Sequence, residues 1–493
     1  MTLLFAAFYT LLACLCGALL YHNQRRGTAK TPNNASTNDG NPSNAPENES
    51  HDGAEVAEDQ KYRPPGFTAF QRQYLALYCA AMFPEWAQGA YVYAVYKKHG
   101  MNAQQIAVLY GTSFFMSCAT GLFAGLLADR YGHRHFALLY ALTSALEAGL
   151  KLSDSFGVQV VSSALSGFCS TLLYTVFDAW MVNEHTARRY PSRLLPETFG
   201  KAMLLNSVCA VLSGVVDSAL VDKPGGLGLG VNAPFAVSVV LLLSLLVPAI
   251  LLTMYSNATQ GSNTTAALSP TADSTQRAGR IQQAWSIVVG NRDVQRALAA
   301  QALFETAIYM FVMNWNAAVH GPCPETELYV APLGWIYSTF MLGLALGSQL
   351  FTLSIQHPLL SVPHTCSAAF CVSGALFLLV VAVLKRGTTC AAFAPGMWTL
   401  TLCFTFFETC CGIFYPSLNA IKGALFPNHV RSTLLGFGRV AQNALILTLL
   451  WASTSWTRPT LMLVVAGIVL LAALIAFQIQ LPQLAERTAT QTA

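Results

Sequence analysis

The chain has 493 residues, 54% of them hydrophobic and only 10% charged, with a formal net charge of +4 and a mean hydropathy of +0.46. Soluble domains carry about 25% charged residues, so this chain cannot cover a water-facing surface of its size. Its basic residues lie in short loops rather than in an arm that would hold nucleic acid, and the composition is that of an integral membrane protein.

A membrane-crossing helix needs about 20 apolar residues. In chain order, one early span is expected at 2–22, then six at 70–95, 104–128, 134–153, 157–183, 198–221 and 231–255. Six more follow at 293–319, 332–355, 363–385, 393–420, 433–455 and 459–480. Two equal sets of six resemble the major facilitator superfamily, in which each half is itself built from inverted repeats. The expected fold is therefore all-α: two six-helix bundles plus one extra N-terminal transmembrane helix. The domain reading is an anchor at 1–22, a disordered polar linker at 23–66 and a first bundle at 67–256. A flexible cytoplasmic linker at 257–291, a second bundle at 292–482 and a tail at 483–493 complete it. The first linker is rich in Asn, Ser, Pro and Asp/Glu and poor in apolar residues, and the second reads the same way, the composition of disordered segments.

Positive charge orients the spans. Arg25, Arg26, Lys30, Lys61 and Arg63 follow the early span. Arg130 and Arg134, then Arg188, Arg189 and Arg193, then Arg277, Arg280 and Arg292, then Lys422 and Arg431 fill alternate loops. The opposite loops hold only Lys97, Lys98, Lys223, Lys385, Arg386 and Arg458. The richer side is expected to be cytoplasmic, which leaves the sequons at Asn34, Asn48, Asn257 and Asn263 unglycosylated. No basic residue precedes the first apolar run, so that run reads as a retained anchor rather than a cleaved leader. The 13 cysteines are scattered singly on apolar runs and read as small buried residues with no metal site. Cys323 and Cys390 fall in loops on the same side and could pair.

Between the second and third bundle spans stands GLLADRYGHRH, residues 125–135. Gly125, Asp129, Arg130, Gly132 and Arg134 match the superfamily's cytoplasmic gating loop. The glycine allows close helix approach, and the aspartate can latch basic groups or a helix N-terminus. An ordinary basic turn is the competing reading. The second half carries no copy, because LSIQHPLLSVPH has no aspartate.

A duplication appears in the charged residues. Setting FPEWAQGAYV (83–92) over LFETAIYMFV (303–312) puts Glu85 on Glu305. YTVFDAW (174–180) over FTFFETC (404–410) puts Asp178 on Glu408, and TFGKAMLLN (198–206) over GFGRVAQN (436–443) puts Lys201 on Arg439. Asn206 and Asn443 follow. These are helices one, four and five of each half, so four acids and two bases are expected at the central cavity. A carboxylate at the bilayer centre costs roughly 2.5–3.5 kcal/mol on insertion scales and marks a functional or paired position. Three readings stay open on the residues alone: ion pairs that hold the bundle, an anion site using the bases, or a cation or polyol site using the acids. Glu147 and Lys151, four apart with the acid first, read as a local ion pair.

EWAQGAYVYAVY (85–96), FDAW (177–180), NEH (183–185), TFGK (198–201), QALFE (301–305), ETCCGIFYPS (408–417) and FGR (437–439) resemble the molybdate-anion transporter family, a branch of the major facilitator superfamily. The resemblance runs from about residue 1 to 480 and skips the two polar segments. It implies uptake of molybdate, a small oxyanion; the mechanism expected from the buried acids and the gating loop is alternating access with proton coupling. Lys201 and Arg439 would bind the anion beside Asn206 and Asn443, while Glu85, Asp178, Glu305 and Glu408 carry counter-charge and protons. No cofactor is expected, and the expected transport unit is a monomer embedded in lipid, in the plasma membrane. A carrier of an organic cation or sugar, and a non-transporting receptor or scaffold, are the alternatives. No Ser/His/Asp, metal or nucleotide-binding spacing appears in a polar loop long enough to hold an enzyme site.

Overall fold

The computed structural model describes residues 2–29, 63–121, 128, 131–191, 194–221, 226–259, 274–321, 332–355, 360–387, 390–427 and 430–481. No strand occurs among them. Helix α1 spans Thr2–Ala29, α2 Phe67–Gly89 and α3 Val92–Lys98. Next come α4 at Ala103–Gly121, α5 at His133–Leu150, α6 at Phe156–Ala187 and α7 at Leu194–Val221. Helix α8 runs over 233–259 with a π-type turn at Leu242–Leu246. The second half is α10 at Arg292–His320, α11 at Leu333–Ser354 and α12 at Val362–Arg386. It closes with α13 at Cys390–Leu425, α14 at Arg431–Ser453 and α15 at Arg458–Phe477. Between the halves lies α9 at Ser274–Gly290. Nine helices among the described residues are long and apolar enough to cross a membrane, and α1, α2, α4 and α5 are helical where further spans are expected.

The early span is apolar over Ala7–Asn23, close to the expected 2–22, and its helix runs on to Ala29. One expectation changes. The stretch 274–290, expected to be flexible, is helical, with Ala284 fully buried and Ile287 and Val288 against the second-half core. Residues 30–62 and 260–273 lie outside the described residues, as do Asn34, Asn48, Asn263 and Cys323.

Each half has its own core. In the first, Phe67, Tyr74, Tyr140, Leu172, Phe177 and Leu242 are buried together. The second is built on phenylalanines: Phe304 stacks on Phe370 at 4.1 Å between centroids, and Phe311 meets Phe404 and Phe407 at 5.0 Å each. Aromatic side chains supply large buried areas with preferred offset or edge geometries. This packing fixes α10 against α12 and α13 and so sets the face that α10 turns inward.

The halves meet away from the basic loops. The Asn316 amide donates to the Ala90 carbonyl at 3.2 Å, and the Gly334 amide donates to the Tyr91 hydroxyl at 3.2 Å. Ser338 donates to the Val211 carbonyl at 2.9 Å. Helices α7 and α11 approach so closely at Gly214 and Gly334 that a Cβ on either would fall on the other's backbone. Small residues at such crossings let backbones touch. The extra helix α1 packs along α11: the Tyr9 ring sits edge-on to Trp335 at 5.2 Å, and Asn23 donates to Gln349 at 2.9 Å.

Candidate substrate site

Helix α10 carries Glu305 at a half-buried position. One turn earlier, Gln301 donates to its carboxylate at 3.2 Å. The Gln301 carbonyl oxygen is buried with no hydrogen-bond partner, and it abuts Gly438 of α14, where an added Cβ would come within 3.1 Å of it. That glycine lets α14 lie against α10 and puts the next residue, Arg439, at the site. Arg439 is exposed and acts electrostatically on Glu305. Lys422 of α13 does the same, more strongly, and Lys422 and Arg439 also act on each other. The sequence reading put Lys422 in a loop; it is instead in the last turns of α13 and only 8% exposed.

The face of α13 that holds Lys422 is polar over its length. Glu408, Tyr415 and Lys422 recur every seven residues, about two helical turns, so they share one face over roughly 21 Å. Glu408 is 6% exposed. Tyr415 lies within electrostatic range of both Glu305 and Glu408, and of Tyr309 on α10. The second half thus gathers Glu305, Glu408, Lys422 and Arg439 around two tyrosines.

In the first half the repeated residues are distributed differently. Glu85 follows Pro84, which removes one amide from the helix ladder of α2. Tyr140 donates to the Ala81 carbonyl at 3.2 Å and Ser238 to the Pro84 carbonyl at 3.2 Å, so neighbouring helices hold this turn. The charge facing Glu85 is Lys151 of α5, itself ion-paired with Glu147. Glu147 and Lys151 are each 3% exposed, so the pair read from its spacing is present and buried. Asp178 accepts from the Tyr74 hydroxyl at 3.4 Å. Asn206 accepts from the Trp86 indole at 2.8 Å.

Lys201 stands in a network of its own. Its ammonium pairs with Glu197 at 2.8 Å and donates to Gln71 at 2.8 Å. Gln71 donates onward to Thr198 at 2.8 Å, and Arg63 reaches Glu197 at 3.1 Å. The Lys201 side chain is 43% exposed, at the end of the molecule where the basic loops lie.

Of the gating loop, Gly125, Asp129 and Arg130 fall outside the described residues. Gly132 has a φ of 97°, a conformation open to glycine and strained for other residues. Arg134 pairs with Glu184 at 2.7 Å, and the other oxygen of Glu184 takes Arg188 at 2.9 Å.

Comparison with known proteins agrees with this architecture. Residues 52–403 match a family model described as sugar transporters with twelve transmembrane segments, within the major facilitator superfamily. The chain belongs to this family. Among curated proteins it is 29% identical over 387 residues to a molybdate-anion transporter of Xenopus tropicalis, covering 77% of this chain and 78% of that one. It is 28% identical over 397 residues to a molybdate-anion transporter of Takifugu rubripes, at 76% and 78% coverage. Among solved structures, a mutant of the nucleoside transporter NupG superposes with a TM-score of 0.62 at 13% identity, covering 83% of this chain and 99% of that one. The peptide transporter POT in a complex with sulfate gives 0.57 at 15% identity, covering 85% and 94%. These two share the fold. The chain is a multi-pass membrane transporter of the major facilitator type.

Three residues of the site escape sequence reasoning. Lys422 has no charged partner in the duplication, Glu197 precedes the apolar run of α7, and Gln71 carries no charge. A signal for Lys422 does exist in the seven-residue recurrence on α13. Asp217, 1% exposed on α7 and within electrostatic range of Tyr337 on α11, is a further buried acid near the seam between the halves.

Proposed function

We propose that this transporter takes up a small oxyanion, molybdate first among candidates, by alternating access coupled to protons. The observation that carries the reading is Arg439. It is an exposed guanidinium facing Glu305, with no direct ion pair to that carboxylate among the described residues. A planar guanidinium fork suits a tetrahedral oxyanion, and the curated relatives bear the name molybdate-anion transporter. Asn443 on the same helix, and Lys201 and Asn206 across the halves, complete the binding set when the halves close. Glu85, Asp178, Glu305 and Glu408 supply counter-charge and proton sites.

The halves touch at Gly214 and Gly334 and at Tyr91, while Lys201 and Arg439 stand open at the opposite end. With the basic loops in the cytoplasm, this is the inward-facing arrangement, and the gating loop with Arg134 and Glu184 closes it in the other half of the cycle. The transport unit is one chain, divided into bundles at 67–256 and 292–482, in the plasma membrane.

The family description favours a second reading, a sugar carrier. Uptake of labelled molybdate separates the two, measured in cells lacking their own carrier between about pH 5 and pH 8. Uptake should rise toward acid pH, resist competition by sugars, and vanish in Arg439→Gln with delivery to the membrane intact. Normal uptake by that variant would overturn the assignment.

A further inference from the structure

We infer that Lys422 is a binding residue of the oxyanion site, the second cation beside Arg439, and that Glu305 is the internal counter-ion the two bases share while the site is empty. The inference rests on the oxyanion reading of the previous section and assigns a residue that the duplication does not.

Lys422 is more than nine-tenths buried, yet its ammonium has no hydrogen-bond or ion-pair partner among the described residues. A buried charge is normally paired or neutralised. Every other buried or half-buried lysine near the candidate site has such a partner: Lys151 has Glu147, and Lys201 has Glu197. The acid nearest in effect to Lys422 is Glu305, and that carboxylate also answers to Arg439 and accepts from Gln301. Two cations on separate helices, α13 and α14, therefore act on one acid on a third, α10, whose hydrogen-bond partner Gln301 lies against Gly438 beside Arg439. Both have donor capacity left over: an ammonium offers three N–H groups and a guanidinium five.

The charge count selects the ligand class. With Glu305 ionised the three groups sum to +1, and with its charge neutralised they sum to +2. A doubly charged tetrahedral oxyanion matches the second state, and the two bases would take it from adjacent sides. Lys201 cannot serve here in the arrangement observed, because Glu197 and Gln71 already hold its ammonium. Lys422 ends the polar face that Glu408 and Tyr415 share with it on α13.

The experiment compares wild type, Lys422→Gln, Lys422→Arg and Lys98→Gln. Each is measured for molybdate uptake and, as purified full-length protein, for the shift in thermal midpoint on adding molybdate, tungstate, sulfate or phosphate. Loss of a charge-assisted contact is worth roughly ten- to a hundredfold in affinity. Lys422→Gln should raise KM by that factor, lose the oxyanion-induced shift and keep the ligand-free midpoint within a few degrees, since no direct ion pair is lost and Glu305 retains Arg439 as counter-charge. Lys422→Arg should recover most of the affinity, and Lys98→Gln, at an exposed lysine of the opposite loops, should keep the shift. A wild-type KM and a wild-type shift in Lys422→Gln would overturn the inference. If molybdate produces no uptake and no shift in the wild type but another of the oxyanions does, the proposed substrate fails. Lys422 is then judged by whether its glutamine variant loses that other shift. No shift with any of the four overturns both.

Discussion

Tyr9 of α1 and Ser338 of α11 meet through their hydroxyls at 3.0 Å, and Ser338 donates its own proton to the Val211 carbonyl of α7 at 2.9 Å. Tyr9 must therefore be the donor in the first bond. A helix outside the two bundles is thus tied to the point where the bundles cross. Tyr9→Phe removes one bond worth about 1 kcal/mol, which corresponds to roughly a fivefold change in an open–closed equilibrium. The expected outcome is faster labelling of a cysteine placed at Ser218, from the side opposite the basic loops. Labelling at the wild-type rate would show that α1 rides on α11 without touching the cycle.

The crossing itself makes a harder demand. Gly214 and Gly334 leave no room for a Cβ on either helix. Gly334→Ala inserts a methyl against the Gly214 carbonyl, and overpacking of this kind costs about 1–3 kcal/mol. The halves should then fail to close at this end, and uptake should fall at least tenfold with membrane delivery preserved. Surface labelling and uptake in the same cells measure both. Unimpaired uptake would mean that the close approach is not needed during the cycle.

The spans were legible in the sequence because hydropathy over about 20 residues is a strong signal. The expected 293–319 became Arg292–His320 and the expected 363–385 became Val362–Arg386. Glu147 with Lys151 was legible because i,i+4 spacing decides contact on a helix without any tertiary knowledge. What stayed hidden depends on tertiary packing. Lys422 reads as a loop cation because it follows the apolar core of its span, and only the packed end of α13 buries it. Residues 274–290 read as linker because their low hydropathy conceals one short apolar stripe, Ala284, Ile287 and Val288, that finds the second-half core. The action of Lys151 on Glu85 depends on where α5 meets α2, held by Tyr140 on the Ala81 carbonyl, which no spacing along the chain can show.

That stripe yields its own test. Ala284 is fully buried, and Trp285 of α9 sits edge-on to Phe437 of α14 at 6.0 Å, two residues from Arg439. Ala284→Glu forces a carboxylate into that contact, at a cost of several kcal/mol. Helix α9 should leave the bundle, and the chain should become cleavable by added protease within 281–290, where the wild type resists. Equal protection in both proteins would show that α9 is held by contacts other than this face.

Lys201 and Glu197 provide the last comparison, because their roles can be separated by a double-mutant cycle. The pair is 43% and 30% exposed, and exposed pairs contribute about 0–1 kcal/mol after screening. Neither Lys201→Gln nor Glu197→Gln should therefore shift the thermal midpoint by more than a few degrees. If Lys201 only braces the mouth through Glu197 and Gln71, the two variants should slow uptake alike and the double variant should be no slower than either. A lysine that grips the anion when the halves close behaves differently. Lys201→Gln would then raise KM where Glu197→Gln lowers it, since removing the carboxylate frees the ammonium for substrate. Opposite movements of KM in the two single variants are the outcome expected from the proposed binding set, and parallel movements would assign Lys201 to the mouth alone.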